Sequence, residues 1–160
     1  PPCSKVAPDA LKFFKGDRED ACYDTTIWIT DQLILKISAM IKGTPAALLY
    51  FSDHGLVKRR GQYIHAAGVP PQEAINVPMY VWLSSSIRHS LKGTRVTNRY
   101  ATLNNYYLIA DLMGVYVDQQ RCMSVLSSCY DFSSPIAISD TSGNTHSYDH
   151  LATSSTATTK

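Results

Sequence analysis

The feature that most constrains this chain is the run Ala46-Ala47-Leu48-Leu49-Tyr50-Phe51, which stops abruptly at Ser52-Asp53-His54-Gly55. An uninterrupted apolar stretch of this length, bounded by turn residues, is the pattern of a strand buried on both faces. Such a strand needs covering layers above and below. In open α/β sheets, ligands bind just outside the carboxyl ends of the strands. An acid followed at once by a histidine at that position offers a hard oxygen and an imidazole nitrogen to one ion.

The flanking sequence fits the same architecture. Tyr23, Ile27, Ile34, Ile37 and Ile41 recur near helical spacing, with Leu33 and Met40 alongside, while Asp24 and Asp31 fall on or near the outer face. Lys42, Gly43 and Pro45 give that helix its stop, with Gly43 as the expected C-terminal cap. Residues 77–83, Val-Pro-Met-Tyr-Val-Trp-Leu, read as a second strand in which Pro78 is tolerable at the start or on an edge. Leu103 to Met113 is expected to be helical and to close at Gly114, whereas the first twenty residues read as irregular. The order predicts an α/β fold with a mostly parallel sheet, to which two strands contribute only a part. Residues 1–151 are expected to belong to one domain, and 152–160, mostly Ser and Thr, to a disordered tail.

Composition narrows the function classes. A formal net charge of +2, with Lys and Arg scattered, gives no nucleic-acid surface, and Lys58-Arg59-Arg60 reads as a solvated loop. No apolar run reaches the roughly 20 residues of a membrane span. Pro1-Pro2-Cys3-Ser4 carries no signal-peptide pattern and reads as part of a longer polypeptide. The four cysteines, Cys3, Cys22, Cys122 and Cys129, have no zinc-finger spacing, and their even count suits an oxidising compartment. Local pairing would join Cys3 to Cys22 and Cys122 to Cys129, although three connectivities remain open. His89, His146 and His150 read as solvated side chains, and Trp28, Trp82, Tyr100, Tyr106 and Tyr107 as packing residues.

Beyond the dipeptide itself, the surrounding motifs carry a resemblance. Ser52-Asp53-His54-Gly55 resembles the S-D-H-G element of bacterial phosphoethanolamine transferases, members of the alkaline-phosphatase/sulfatase superfamily. Tyr23-Asp24-Thr25-Thr26-Ile27 with Asp31 is similar to that family's Y-D-N-T-I-x-x-x-D helix. Gly61-Gln62-Tyr63-Ile64-His65 is similar to its G-x-Y-x-H, and the stretch from Val77 to Ser84 to its V-P-hydrophobic-W-x-S strand. Asn104 through Val115 loosely resembles its N-x-F-x-T-L-L-x-L-x-G-V helix, so the likeness runs in order from Tyr23 to Val115.

The resemblance implies the C-terminal part of a layered catalytic domain in which Asp53 and His54 bind Zn²⁺ and His65 stands beside the phosphoryl group. It also implies a phospholipid donor, a cell-envelope glycolipid acceptor (lipid A or a core sugar), and a parent protein at the periplasmic face of the bacterial inner membrane. Any membrane attachment then belongs to that parent, and the fragment itself is expected to be soluble. The family's threonine nucleophile and acidic ligand lie upstream of the region matching Tyr23. None of Thr25, Thr26 or Thr44 has the nucleophile's context, so the missing N-terminal half is an expected partner and the chain alone is expected to be inactive. Two departures stand out: Leu56 where the family has an acid, and a basic, one-residue-shorter loop at Val57-Lys58-Arg59-Arg60. Other functions compatible with an Asp-His-Gly are a phosphodiesterase or sulfatase-type hydrolase and a non-catalytic accessory domain.

Overall fold

A computed structural model describes residues 16–87, 96–115 and 122–153. These form two compact units: residues 16–87 with 152–153, and residues 96–151.

The first unit opens with helix α1, Arg18–Ile41, of 24 residues. It starts five residues before Tyr23, where the apolar periodicity begins, because Asp17 and Asp20 build a reciprocal cap. The Asp20 N–H donates to Asp17 Oδ1 at 2.9 Å and the Asp17 N–H reaches Asp20 Oδ2 at 3.4 Å. Only the first turns are buried, at Ala21, Cys22 and Thr25, with the Thr25 hydroxyl donating to the Ala21 carbonyl at 2.6 Å. Further along, Ile27, Trp28, Ile29, Leu33, Leu35 and Met40 are exposed. Trp28 is therefore not the packing residue its spacing suggested, because α1 is covered at its N-terminal end alone. Gly43 does not adopt the left-handed conformation of a glycine cap; the helix ends through Lys42, in right-handed geometry, and the Thr44 N–H bond to Ile41.

Strand β1, Ala47–Phe51, follows the 42–46 turn, and its partner is β4, Met79–Leu83, in register Ala47↔Leu83 through Phe51↔Met79. The pair is antiparallel, as are the other two strand pairs among the described residues. The expected mostly parallel sheet is not seen among the described residues. The 52–78 connection holds a hairpin and one four-residue helix, with no long crossover helix to return the chain in the same direction. Fully buried Ser84 pins the end of this pair: its N–H donates to the Ala46 carbonyl at 3.0 Å and its Oγ accepts from the Ala46 N–H at 3.2 Å.

Between β1 and β4 lie the hairpin β2, Val57–Arg59, and β3, Gln62–Ile64, then helix α2, Gln72–Ile75. Arg60 and Gly61 both have positive φ, 51° and 78°, as a two-residue hairpin turn of matching twist requires. The basic run expected as a loop is thus largely strand. The Gln72 N–H donates to the Ala152 carbonyl at 3.0 Å; the rest of the expected tail, from 154, lies outside the described residues.

In the second unit a 3-10 turn, Thr102–Asn104, leads into α3, Asn105–Leu112, anchored by fully buried Leu108. Gly114, at φ 71°, closes α3 as expected: its N–H donates to Asp111 and the Val115 N–H to Ala110, the paired bonds of a Schellman cap. Tyr106 points outward, contrary to its expected packing role, since one face of α3 is uncovered. Cys122 and Cys129 are disulfide-bonded, matching the local pairing; Cys22 is also in a disulfide, and Cys3, its expected partner, lies outside the described residues. The hairpin β5, Ala137–Ser139, and β6, Thr145–Ser147, precedes a 3-10 turn at Tyr148–His150.

Candidate metal centre

Asp53 and His54 sit two and three residues beyond the carboxyl end of β1, in the loop that the apolar run was expected to break into. The loop is shaped by its own polar groups. Ser52 Oγ donates to the His54 carbonyl at 2.9 Å, and the His54 N–H donates to Asp53 Oδ1 at 2.9 Å. Next, the Gly55 N–H donates to the Ala74 carbonyl at 2.7 Å, tying the loop to α2. A Cβ on Gly55 would stand 2.5 Å from the Glu73 carbonyl oxygen. Glycine is required here by the close approach of α2.

His54 Nδ1 lies 2.9 Å from the Gly55 carbonyl oxygen. A carbonyl only accepts, so Nδ1 carries the proton and, in the neutral ring, the lone pair is on Nε2. That nitrogen is 3.5 Å from Asp53 Oδ2. Two acceptors face each other there, and a proton or a cation between them relieves the repulsion. Donors sharing a tetrahedral Zn²⁺ at bonds of about 2.0–2.2 Å are separated by roughly 3.3–3.6 Å, so the spacing and the donor types fit the ion. A ligating histidine whose second nitrogen donates to a backbone carbonyl has its tautomer and ring orientation fixed. Asp53 is 85% exposed and His54 38%, leaving the pair open to solvent.

His65 follows β3, and its ring lies 4.2 Å from that of His54, centroid to centroid, tilted by 56°. The structure therefore brings all three expected site residues together: Asp53 and His54 in one loop, His65 against the imidazole. Among the described residues no three His, Cys, Asp or Glu side chains converge as a ready metal shell.

What holds His65 there was not read from the sequence. Lys58 Nζ, on β2, contacts Asp17 Oδ2 at 2.6 Å and Asp20 Oδ1 at 2.5 Å, so it is bridged to the α1 cap and is no solvated cation. The Tyr63 hydroxyl donates to Asp20 Oδ1 at 3.0 Å, and the Tyr63 ring stacks on Tyr23 at 4.3 Å. Hydrogen bonds to Asp17 and Asp20 hold the Lys58 ammonium above its ordinary range, and Lys58 in turn holds both carboxyls below theirs. Burial, then the Asp20 contact, pushes Tyr63 up. Asp17-x-x-Asp20 ahead of the helical pattern was the available signal.

Of the other histidines, His89 lies outside the described residues. His146 is not merely solvated: its Nε2 is 2.9 Å from Asp140 Oδ2, an oxygen 3.1 Å from Asn144 Nδ2, and Asp140 Oδ1 takes the N–H groups of Ser142 and Asn144. These bonds organise the β5–β6 turn and hold the Asp140 carboxyl far below its usual range, His146 contributing most.

Comparison with known proteins decides the family. A family model for sulfatases matches residues 1–115. The chain belongs to the sulfatase family. In Escherichia coli K12 a protein named "Putative transferase YhbX" is 34% identical over 123 residues, covering 75% of this chain and 23% of that protein, and the O157:H7 counterpart matches identically. The phosphoethanolamine transferase EptA of Helicobacter pylori (strain ATCC 700392 / 26695) is 30% identical over 105 residues, 60% of this chain and 19% of its own length. The chain thus spans about a quarter or less of the relatives it matches. No solved structure matches it. These relatives support a place in the phosphoethanolamine-transferase branch of the superfamily, whose members are generally metal-dependent and share an alkaline-phosphatase-like α/β class. Among the described residues no helix is long and apolar enough to cross a membrane.

Proposed function

We propose that this sulfatase-family chain supplies part of the site of a zinc-dependent enzyme that moves phosphoethanolamine from a phospholipid to a cell-envelope glycolipid, lipid A or a core sugar. The observation that carries the reading is the His54 arrangement, with Nδ1–H spent on the Gly55 carbonyl and Nε2 left 3.5 Å from Asp53 Oδ2. Asp53 and His54 would hold the ion. When bound, Zn²⁺ supplies positive charge that polarises phosphoryl oxygens and makes a hydroxyl nucleophile easier to deprotonate.

The chain's own residues do the rest of what it contributes. The Gly55 carbonyl keeps the proton on Nδ1 and so keeps the lone pair on Nε2, 3.5 Å from Asp53 Oδ2. His65, its ring tilted against that of His54 and its side chain exposed, stands where it can meet the phosphoryl oxygens or give a proton to the leaving alkoxide. The nucleophile, a threonine by resemblance to the family, and further ligands come from upstream sequence. Attack of its Oγ on phosphorus would release diacylglycerol, and the acceptor hydroxyl would then displace the threonine. On this reading β1 and β4 join a larger, mostly parallel sheet, and the site faces the periplasm. Exposed Phe51 and Tyr80 on those strands support a sheet that is covered by more chain.

The test uses this chain joined to its upstream half, with zinc content and phosphoethanolamine transfer both measured. Asp53→Ala and His54→Ala should each lose zinc and abolish transfer, while His65→Ala should slow transfer with zinc retained. The isolated chain should transfer nothing. Normal transfer by Asp53→Ala would overturn the assignment, and release of free phosphoethanolamine without use of the acceptor would make the protein a hydrolase.

A further inference from the structure

The second unit holds a cleft of about 440 Å³ that the metal-centre reading does not use, lined in part by Asn98, Arg99, Phe132, Ser133, Ser134 and Asp149. Its volume falls within the roughly 300–1,000 Å³ of small-molecule sites. The lining is unusually specified in donors and acceptors. Asp131 takes the Ser133 hydroxyl proton on Oδ1 at 2.6 Å and the Ser134 hydroxyl proton on Oδ2 at 3.1 Å. With their protons committed, both serine oxygens are left as acceptors. Arg99 forms an ion pair with Asp149 and lies 4.5 Å over the Tyr148 ring, which orients a guanidinium having more N–H groups than one carboxylate oxygen can use. Phe132, set edge-on to Tyr130 at 4.8 Å, gives the wall an aromatic surface.

Charge selects the ligand class. Arg99 and Asp149 cancel, and Asp131 behind the serines adds a negative charge held firmly ionised by the two hydroxyls and the Ser133 N–H. Among the described residues the cleft offers an anion no net positive charge. A neutral ligand carrying many hydroxyls can donate to Ser133, Ser134 and Asp149, accept from Arg99 and Asn98, and lay its C–H face on an aromatic ring. We propose that this cleft binds a pyranose sugar through the Arg99–Asp149 pair, the serine oxygens of 133 and 134, and Phe132. The site stands apart from the transferase reading and survives its failure.

The experiment is a titration of the full ¹⁵N-labelled chain with methyl α-D-glucopyranoside, followed by amide chemical shifts, with inorganic phosphate as a separate arm. Saturable shifts should map to residues 97–99, 132–134, 136 and 148–149, with a dissociation constant on the order of 1 mM. Arg99→Met should weaken binding about tenfold or more, the loss of a hydrogen bond to a charged group. In case that variant disturbs the unit, Ser134→Val, at an exposed position, removes an acceptor and fills the cleft with methyls; it should abolish the shifts while the remaining spectrum stays that of the parent. Absence of saturable shifts, shifts mapping elsewhere, a response to phosphate alone, or unchanged binding by a folded Ser134→Val would each overturn the proposal.

Discussion

Replacing Gly55 by alanine isolates the contact that seats the metal loop. Gly55 does not have positive φ, so alanine is allowed by its backbone conformation and the substitution tests packing alone. The new Cβ would lie 2.5 Å from the Glu73 carbonyl oxygen and 3.2 Å from that of Ala74. Both are backbone atoms, which cannot swing aside as a side-chain end can. Relief requires moving the loop away from α2, which stretches the 2.7 Å Gly55–Ala74 hydrogen bond. Losing that bond costs about 1 kcal/mol and overpacking about 1–3 kcal/mol. Reduced freedom of the unfolded chain returns roughly 0.4–1 kcal/mol. The net expectation is about 1–3.5 kcal/mol of destabilisation, read as a lower urea midpoint with unchanged slope. Gly61→Ala is the matched comparison: nothing lies within 4 Å of its added Cβ, and only its φ of 78° is unfavourable, at about 1–2 kcal/mol. In the protein joined to its upstream half, Gly55→Ala should also weaken zinc binding, since it shifts the carbonyl that fixes His54, whereas Gly61→Ala should leave zinc unchanged. A Gly55→Ala protein with the parent's midpoint and zinc affinity would refute the reasoning.

Other consequences can be checked directly. Lys58→Met should lower the urea midpoint and increase amide exchange in β2 and β3, with Lys58→Arg recovering part of the loss; equal stability of Met and parent would remove the bridge from the account. Because Asp17 and Asp20 are held below their ordinary values, their contribution is complete above about pH 4 and fades as pH falls through the folded values. Lys58, held above its ordinary value, contributes fully below about pH 10 and fades only as pH rises through its folded value. The contribution of this bridge should therefore be flat through neutrality, and Asp20→Asn should flatten the acid limb. Thiol titration of denatured, unreduced protein should find Cys22, Cys122 and Cys129 blocked, and detection of all four cysteines as free would contradict the disulfides.

The parts of this molecule readable from sequence are those fixed by short-range pattern. The apolar run at 46–51 ends in a polar loop because a strand apolar on both faces cannot continue into solvent, and Gly114 closes α3 because the cap geometry needs positive φ. What escaped depends on partners distant in sequence. Lys58 looks solvated until Asp17 and Asp20, about 40 residues earlier, are folded against it, and His146 looks solvated until the β5–β6 turn delivers Asp140. Strand direction escaped for a related reason: the apolar run predicts a strand covered on both faces, which half-buried β1 is not within this chain, and only the connection says which way its neighbour runs. The adjacency of Asp53 and His54 was explicit in the sequence, whereas the Gly55 carbonyl that selects the imidazole tautomer is a backbone atom with no sequence signature.

Helix α1 sets a boundary condition for anything packed around it. Asp24, Asp31 and Ser38 recur at intervals of seven residues and so trace nearly a straight line along the rod, with Lys42 continuing it. Apolar side chains occupy much of the remaining circumference. Water is thus welcome along this seam, and a covering layer that closed it would trap two carboxylates and an ammonium in a dry space; exposed Lys36, on another side of the rod, needs an outlet of its own. Neighbours of α1 can wrap it from both sides, but they must leave the seam open.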